Sequence, residues 1–187
     1  MTTAPPESPG RYQRSANGMV GAMVVLVVLV GGFVGVQALG RDHDVEPART
    51  VDYRPVADQA RAAGTLFVFT PDPMPKGWRA TSVSYVPGRA PTWHLGMLTD
   101  QGSYVGIEES LATEKDMVEK FVDPDAERGD EVRLRGLTWR EWTDSGGDYA
   151  LVLSTRKQTV LVGGSAGEKY VRALVGRLSL GNLRASA

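Results

Sequence analysis

Cysteine is absent from the 187-residue chain. That excludes a disulfide framework, a thiolate metal site, a catalytic thiol and a lipid-modified cysteine behind a hydrophobic segment. An exported domain without disulfides has to be held by its core, and the chain is long enough to build one, since domains of ~100–150 residues are the commonest size. An excess of charge of either sign is lacking too. Lysine and arginine number 21 against 22 aspartates and glutamates, and from Arg41 onward 19 against 21. There is no basic stripe to neutralise phosphates, so nucleic acid is excluded as a partner, and no polybasic patch marks the outer part for a lipid surface. Histidine is nearly absent, with only His43 and His94.

What is present is one long apolar run. Between Arg14 and Arg41 no residue is charged, and Gly18 to Leu39 reads GMVGAMVVLVVLVGGFVGVQAL. At ~1.5 Å rise per residue this run is about 33 Å long, against a bilayer hydrocarbon core of ~30 Å. The apolar stretch of a cleaved signal peptide is shorter, ~7–15 residues, and Val36-Gln37-Ala38 is only a weak cleavage match. The run is therefore read as an uncleaved transmembrane helix. Arg11 and Arg14 precede it with only Glu7 opposing, whereas Arg41 falls among Asp42, Asp44 and Glu46. By the positive-inside rule the N-terminus is cytoplasmic and the C-terminal domain extracytoplasmic. Gly31 and Gly35 have the GxxxG spacing that lets two membrane helices approach, and are the candidate helix–helix contact.

The expected organisation is a short disordered cytoplasmic tail (1–17), the transmembrane helix (18–39), a juxtamembrane linker (40–50), an extracytoplasmic α+β domain (51–182) and a C-terminal tail (183–187). Pro55 to Ala63 reads as a short helix, with proline in the first turn and Gly64 as terminator. From Arg79 the hydrophobic period becomes two. Thr81, Val83 and Tyr85 form one face of a first strand, Trp93, Leu95 and Met97 that of a second, and Val105 and Ile107 that of a third. Gly96 and Gly106 point to the other side, where something can pack closely. A helix over about Ala112 to Phe121 separates this meander from a second one. The latter runs through Val132–Leu134, Leu137–Trp139, Tyr149–Leu153 and Thr159–Val162. A last amphipathic helix spans Ala166 to about Leu178. The fold class that follows is α+β: one antiparallel sheet of about six strands, with helices covering at least one face.

The sharpest motif is Gly163-Gly164-Ser165-Ala166-Gly167, which matches G-x-S-x-G between a predicted strand and helix. A nucleophile elbow needs a histidine base after the serine, and none follows Ser165. Ser165 is better read as a helix cap with Glu168 completing a capping box. The acidic run Asp123 to Glu131 fails as an EF-hand, because positions six and twelve fall on Arg128 and Leu134. It is read as a solvated loop. His94 lies on a strand opposite to Trp93 and Leu95 and lacks a second metal-ligand residue nearby. Glu108 and Glu109 are adjacent, so on a strand they face opposite sides and cannot work as a glycosidase pair. Trp139 and Trp142 also point to opposite faces, with Trp139 expected in the core and Trp142 exposed or beneath a helix. Trp142, Trp78 and His94 are the candidate contact surface.

The layout from the anchor onward resembles a family of bacterial single-pass membrane proteins, mostly from high-GC Gram-positive bacteria, catalogued as domain of unknown function 4245. The likeness is carried by Val51-Asp52-Tyr53, Pro75 to Val83, Trp93 to Gly96, Tyr104 to Ser110, Gly136 to Trp139 and the Gly163-to-Leu180 segment. It implies an anchored extracytoplasmic domain at the cell membrane and no assigned activity. The function expected is a non-enzymatic binding or interaction module of the cell envelope, the alternative being an anchored hydrolase using Ser165 or acidic residues. No catalytic residue, cofactor or metal is assigned. The expected partners are the membrane lipid bilayer and an envelope or membrane protein.

Overall fold

A computed structural model describes residues 49–179. The run Gly18–Leu39, with Gly31 and Gly35, lies outside them, as do His43 and the C-terminal tail. Among the described residues no helix is long and apolar enough to cross a membrane.

Helix α1 (Arg54–Ala63) has proline in its first turn and ends at Gly64, and its Ala57 and Ala60 are fully buried. After the short strand β1 (Thr70–Pro71) comes a three-strand meander: β2 (Arg79–Val86), β3 (Thr92–Leu98) and β4 (Tyr104–Ser110). Helix α2 (Glu114–Phe121) carries the chain across to a second meander of β5 (Glu127–Leu134), β6 (Leu137–Thr143), β7 (Tyr149–Ser154) and β8 (Thr159–Gly164). Helix α3 (Gly167–Val175) and strand β9 (Leu178–Ser179) complete it, β9 pairing with β1. The two meanders join edge to edge through β4 and β8, giving one antiparallel sheet of order β2-β3-β4-β8-β7-β6-β5. It has seven strands where about six were expected, and helices lie on both faces.

Alternation sorts the side chains. One face carries Trp93, Leu95, Met97, Val105, Ile107, Trp139, Leu151 and Val162, packed against Ala57 and Ala60 of α1 and Val171, Leu174 and Val175 of α3. Burying each such side chain contributes roughly 1.5–3 kcal/mol. Arg172 fixes α3 to the sheet by pairing with Glu141 of β6, which also accepts from the Tyr149 hydroxyl. The second face carries a smaller cluster, Ala150, Val152 and Leu161 beneath Met117 and Val118 of α2.

Several local expectations are corrected. Strand β2 has a bulge between Ala80 and Ser82, where Ala80 opposes Met97 and Ser82 opposes Gly96. Thr81 is the extra residue, its hydroxyl donating to the Gly96 carbonyl at 3.3 Å, so Ala80 joins Val83 and Tyr85 on the core face. Strand β5 begins at Glu127 and absorbs half of the acidic run read as a loop. It is an edge strand, where charged side chains suit solvent and discourage pairing with another chain. Ser165 does not cap α3: the capping position is Ala166, with no side-chain cap bond. A tertiary contact decides this, since the Ala166 N–H donates to the Tyr104 carbonyl at 3.1 Å and Gly167 takes a φ of +77°. Leu178, assigned to the same helix, belongs to β9. The true capping box is on α2, where Thr113 and Asp116 cap each other's backbone N–H.

Glu109 is the polar member of the core. Its carboxyl accepts from the Phe69 N–H at 2.5 Å and from Gln158 Nε2 at 2.6 Å, tying the segment before β1 to the sheet. Burial pushes its pKa up to about 8, against the opposing pull of those two donors. The folded domain thus holds this proton more tightly than the unfolded chain. The stability it supplies is complete below the ordinary value of 4.5 and is lost as pH rises through about 8. Urea unfolding at pH 5 and pH 9 should show a drop for the wild type, on the order of a few kcal/mol at ~1.4 kcal/mol per unit of pKa difference. Glu109→Gln should flatten that drop, and an equally steep one would remove Glu109 as its source.

Candidate functional site

The second face changes character at β4. Toward β6 it is apolar and lies under α2, whereas toward β2 it carries Ser82, Ser84, His94, Gly96, Tyr104, Gly106 and Glu108. The bulge at Thr81 puts Ser82 on this side. The register then sets Ser84 opposite His94 and His94 opposite Glu108, so three neighbouring strands deliver one row of polar groups.

The row is hydrogen-bonded end to end. His94 Nδ1 is 2.5 Å from Glu108 Oε1, and His94 Nε2 is 2.8 Å from Ser82 Oγ. A carboxylate only accepts, so Nδ1 carries the proton of the neutral ring and Nε2 offers its lone pair to the Ser82 hydroxyl. The His94 side chain is 28% exposed and that of Glu108 10%. The hydrogen bond to Glu108 raises the His94 pKa above 6.5, with burial opposing.

Tyr104 completes the cluster. Its ring lies across the two glycines: a Cβ on Gly106 would come within 2.7 Å of the Tyr104 hydroxyl, and one on Gly96 within 3.1 Å of the ring and against Ser82 Oγ. The close packing expected over Gly96 and Gly106 is thus supplied by Tyr104. Its hydroxyl has no hydrogen-bond partner among the described residues, and burial followed by the Glu108 charge pushes its pKa up to about 12. It therefore stays protonated and free to donate.

Beside this row a cavity of about 590 Å³ opens between the β2–β3 loop, β4 and α2. His94 and Glu108 share its lining with Pro91, Leu111, Met117 and Phe121. Among the described residues the exposed large apolar side chains are Val86 and Leu111, at the strand ends beside the cavity, and Tyr104, at the opposite end of β4.

The other candidates lie elsewhere. Trp78 is half-buried beside α3, its ring 5.9 Å from that of Tyr170. Trp142 is half-buried on the second face under α2, its indole N–H donating to Glu114 at 2.9 Å. His94 and Trp142 share a face but are separated by β4, β8 and β7, so the three residues do not form one patch. Ser165 is exposed and bonded to no base. No group of three acidic or histidine residues could hold a metal among the described residues.

Alternation sets His94 opposite to Trp93 and Leu95 and Glu108 opposite to Glu109, but it joins the two neither to each other nor to Ser82. The available signal was strand alternation combined with the short turn at Asp100-Gln101-Gly102, which sets His94 against Glu108. Only His43 and His94 give imidazole signals, so an NMR titration is direct. His94 should titrate above 6.5, and Glu108→Gln should lower its midpoint, because the acceptor that favours the charged ring is lost. The pair's contribution to stability is full below 6.5 and fades above the raised value. A midpoint unmoved by Glu108→Gln would contradict the geometry.

Residues 11–178 match the family described as Protein of unknown function (DUF4245). No curated protein matches the chain.

Proposed function

The chain belongs to that family, whose description names no activity, and from this premise we propose that the protein is a membrane-anchored, extracytoplasmic binding module of the cell envelope. Its ligand is a small molecule with an aliphatic arm, held in the cavity between α2 and the β2–β4 end of the sheet. The observation that carries this reading is the cavity itself. It has an apolar wall of Leu111, Met117 and Phe121 and a polar floor of His94 and Glu108. Sites for small molecules have this composition, mostly apolar with a few polar groups that fix orientation. A hydrolase reading built on Ser165 draws no support from the same geometry.

The anchor is the apolar run Gly18–Leu39, and the two arginines before it set the orientation. Gly31 and Gly35 offer a face for a second membrane helix. Alkaline phosphatase fused after residue 187 should be active, and green fluorescent protein fused there dark when exported unfolded. The reverse pattern would place the domain inside.

Ligand binding is read on the full-length protein in lipid nanodiscs. Titration with octanoate should shift the His94 imidazole resonances of the wild type. Leu111→Glu should abolish that shift without unfolding the domain, because Leu111 is 48% exposed. Wild-type resonances that stay fixed up to millimolar octanoate would overturn the binding reading.

A further inference from the structure

Ser82 and His94 make the kind of contact that acyl-transfer chemistry needs between a nucleophile and its base, and Glu108 holds the other ring nitrogen. In such chemistry a hydroxyl becomes reactive when a base within ~2.6–3.2 Å takes its proton, and the base works when a third group fixes its tautomer. The contacts here are 2.8 Å and 2.5 Å, on three adjacent strands. A donor is also required for the negative charge that develops on the attacked carbonyl oxygen. The free Tyr104 hydroxyl lies 3.2 Å from the point where a Gly96 Cβ would stand, a point that Ser82 Oγ also crowds. Lying 2.3 Å and 3.2 Å from that one point, Ser82 Oγ and the Tyr104 hydroxyl are at most 5.5 Å apart, and the two glycines are what let the Tyr104 ring lie this close to the sheet. Ser82 and Tyr104 are both partly exposed, so a substrate can reach them.

We propose that Ser82, His94 and Tyr104, with Glu108 as positioning residue, form an acyl-transfer site that hydrolyses a carboxylic ester bearing an aliphatic arm. Ser82 Oγ attacks the carbonyl carbon while His94 Nε2 takes the hydroxyl proton, and the carbonyl electron pair moves to oxygen, where the Tyr104 hydroxyl donates. Collapse breaks the bond to the alcohol oxygen, which leaves with the proton from Nε2. Water then attacks the Ser82 ester, His94 takes the water's proton, and the acid departs as Ser82 recovers its hydrogen. The aliphatic arm lies in the cavity on the other flank of His94, which in this respect rests on the binding reading above. The Ser82 chemistry stands on its own geometry.

The test uses the full-length protein in nanodiscs. An alkyl fluorophosphonate should lose fluoride and form an Oγ–phosphorus bond at Ser82, located by peptide mass spectrometry, with Ser165 unmodified. Hydrolysis of p-nitrophenyl butyrate should fall by ~10³-fold or more in Ser82→Ala, by ~10²-fold in Tyr104→Phe, and should be unchanged in Ser165→Ala. The wild-type labelling rate should rise as His94 loses its proton. His94 is bonded by Ser82 from β2 and Glu108 from β4, and Asp116 and Lys120 of α2 line the cavity it opens on. Glu108→Gln should move the labelling inflection to lower pH in step with the His94 midpoint, and an inflection that does not follow that midpoint would remove His94 as the base. Should Ser82→Ala fail to fold, the wild-type labelling map and the Glu108→Gln inflection decide the matter. Absence of label on Ser82 in protein whose His94 titrates as folded overturns the inference, as does label mapping only to Ser165. Octanoate binding with Ser82 unlabelled overturns the chemistry and leaves the binding module. Label on Ser82 with no octanoate shift supports the chemistry and removes the cavity from it.

Discussion

The pairing of β4 with β8, from Gly106 opposite Gly163 to Ser110 opposite Thr159, turns two meanders into one sheet. Each meander alone would leave an open edge of unpaired N–H and C=O groups in the middle of the domain, where solvent cannot satisfy them. The joint also fixes sidedness. Because successive residues on β4 point to opposite faces, Val105, Ile107 and Glu109 go to the core while Gly106 and Glu108 go to the second face. A slip of one residue would turn Glu108 into the core and Ile107 onto the second face, so core burial holds the register that the His94 pair needs. Gly163 is part of the same constraint, since a Cβ there would come within 2.6 Å of Ala150 Cβ and 3.0 Å of the Tyr149 carbonyl.

Two adjacent glutamates show how far this sorting goes. Glu109 faces the core and is held by Phe69 and Gln158, whereas Glu108 faces His94 and the cavity. The first ties distant segments together and is explained by structure alone. The second is not so easily explained, because a buried or half-buried ionic pair is seldom more stabilising than a well-packed apolar one. A fold needing only stability at this place could have used leucine, as it does at Leu161 on the same face.

Much of this was legible in the residues. Period-two alternation gave the strands, and it put Glu108 and Glu109, and Trp139 and Trp142, on opposite faces. Proline at the start and Gly64 at the end gave α1. The failures are equally physical. Ser82 could not be placed beside His94, because the bulge at Thr81 is a property of the β2–β3 pair and leaves no mark on a strand read alone. The Ser165–Glu168 spacing is a sound local signal, but a tertiary hydrogen bond from Ala166 to Tyr104 overrides it. The charged stretch from Glu127 looked too polar for a strand, yet an edge position asks little apolar surface of its residues.

The place left open follows from a mismatch of lengths. At ~1.5 Å per residue the eight residues of α2 make a rod of about 12 Å, while seven strands ~4.8 Å apart span about 29 Å. One such helix cannot cover the second face, and α2 lies over the β7–β8 region, where Ala150, Val152 and Leu161 are apolar. The core side needs α1, α3 and the segment before β1 to close it. Among the described residues no comparable element reaches β2–β4 on the other side, and the residues there are the ones that tolerate water: serine, histidine, glycine and a tyrosine lying flat across two glycines. A longer α2 would have sealed this face at little cost in sequence. Its short reach leaves a rim where an apolar wall meets a hydrogen-bonded row.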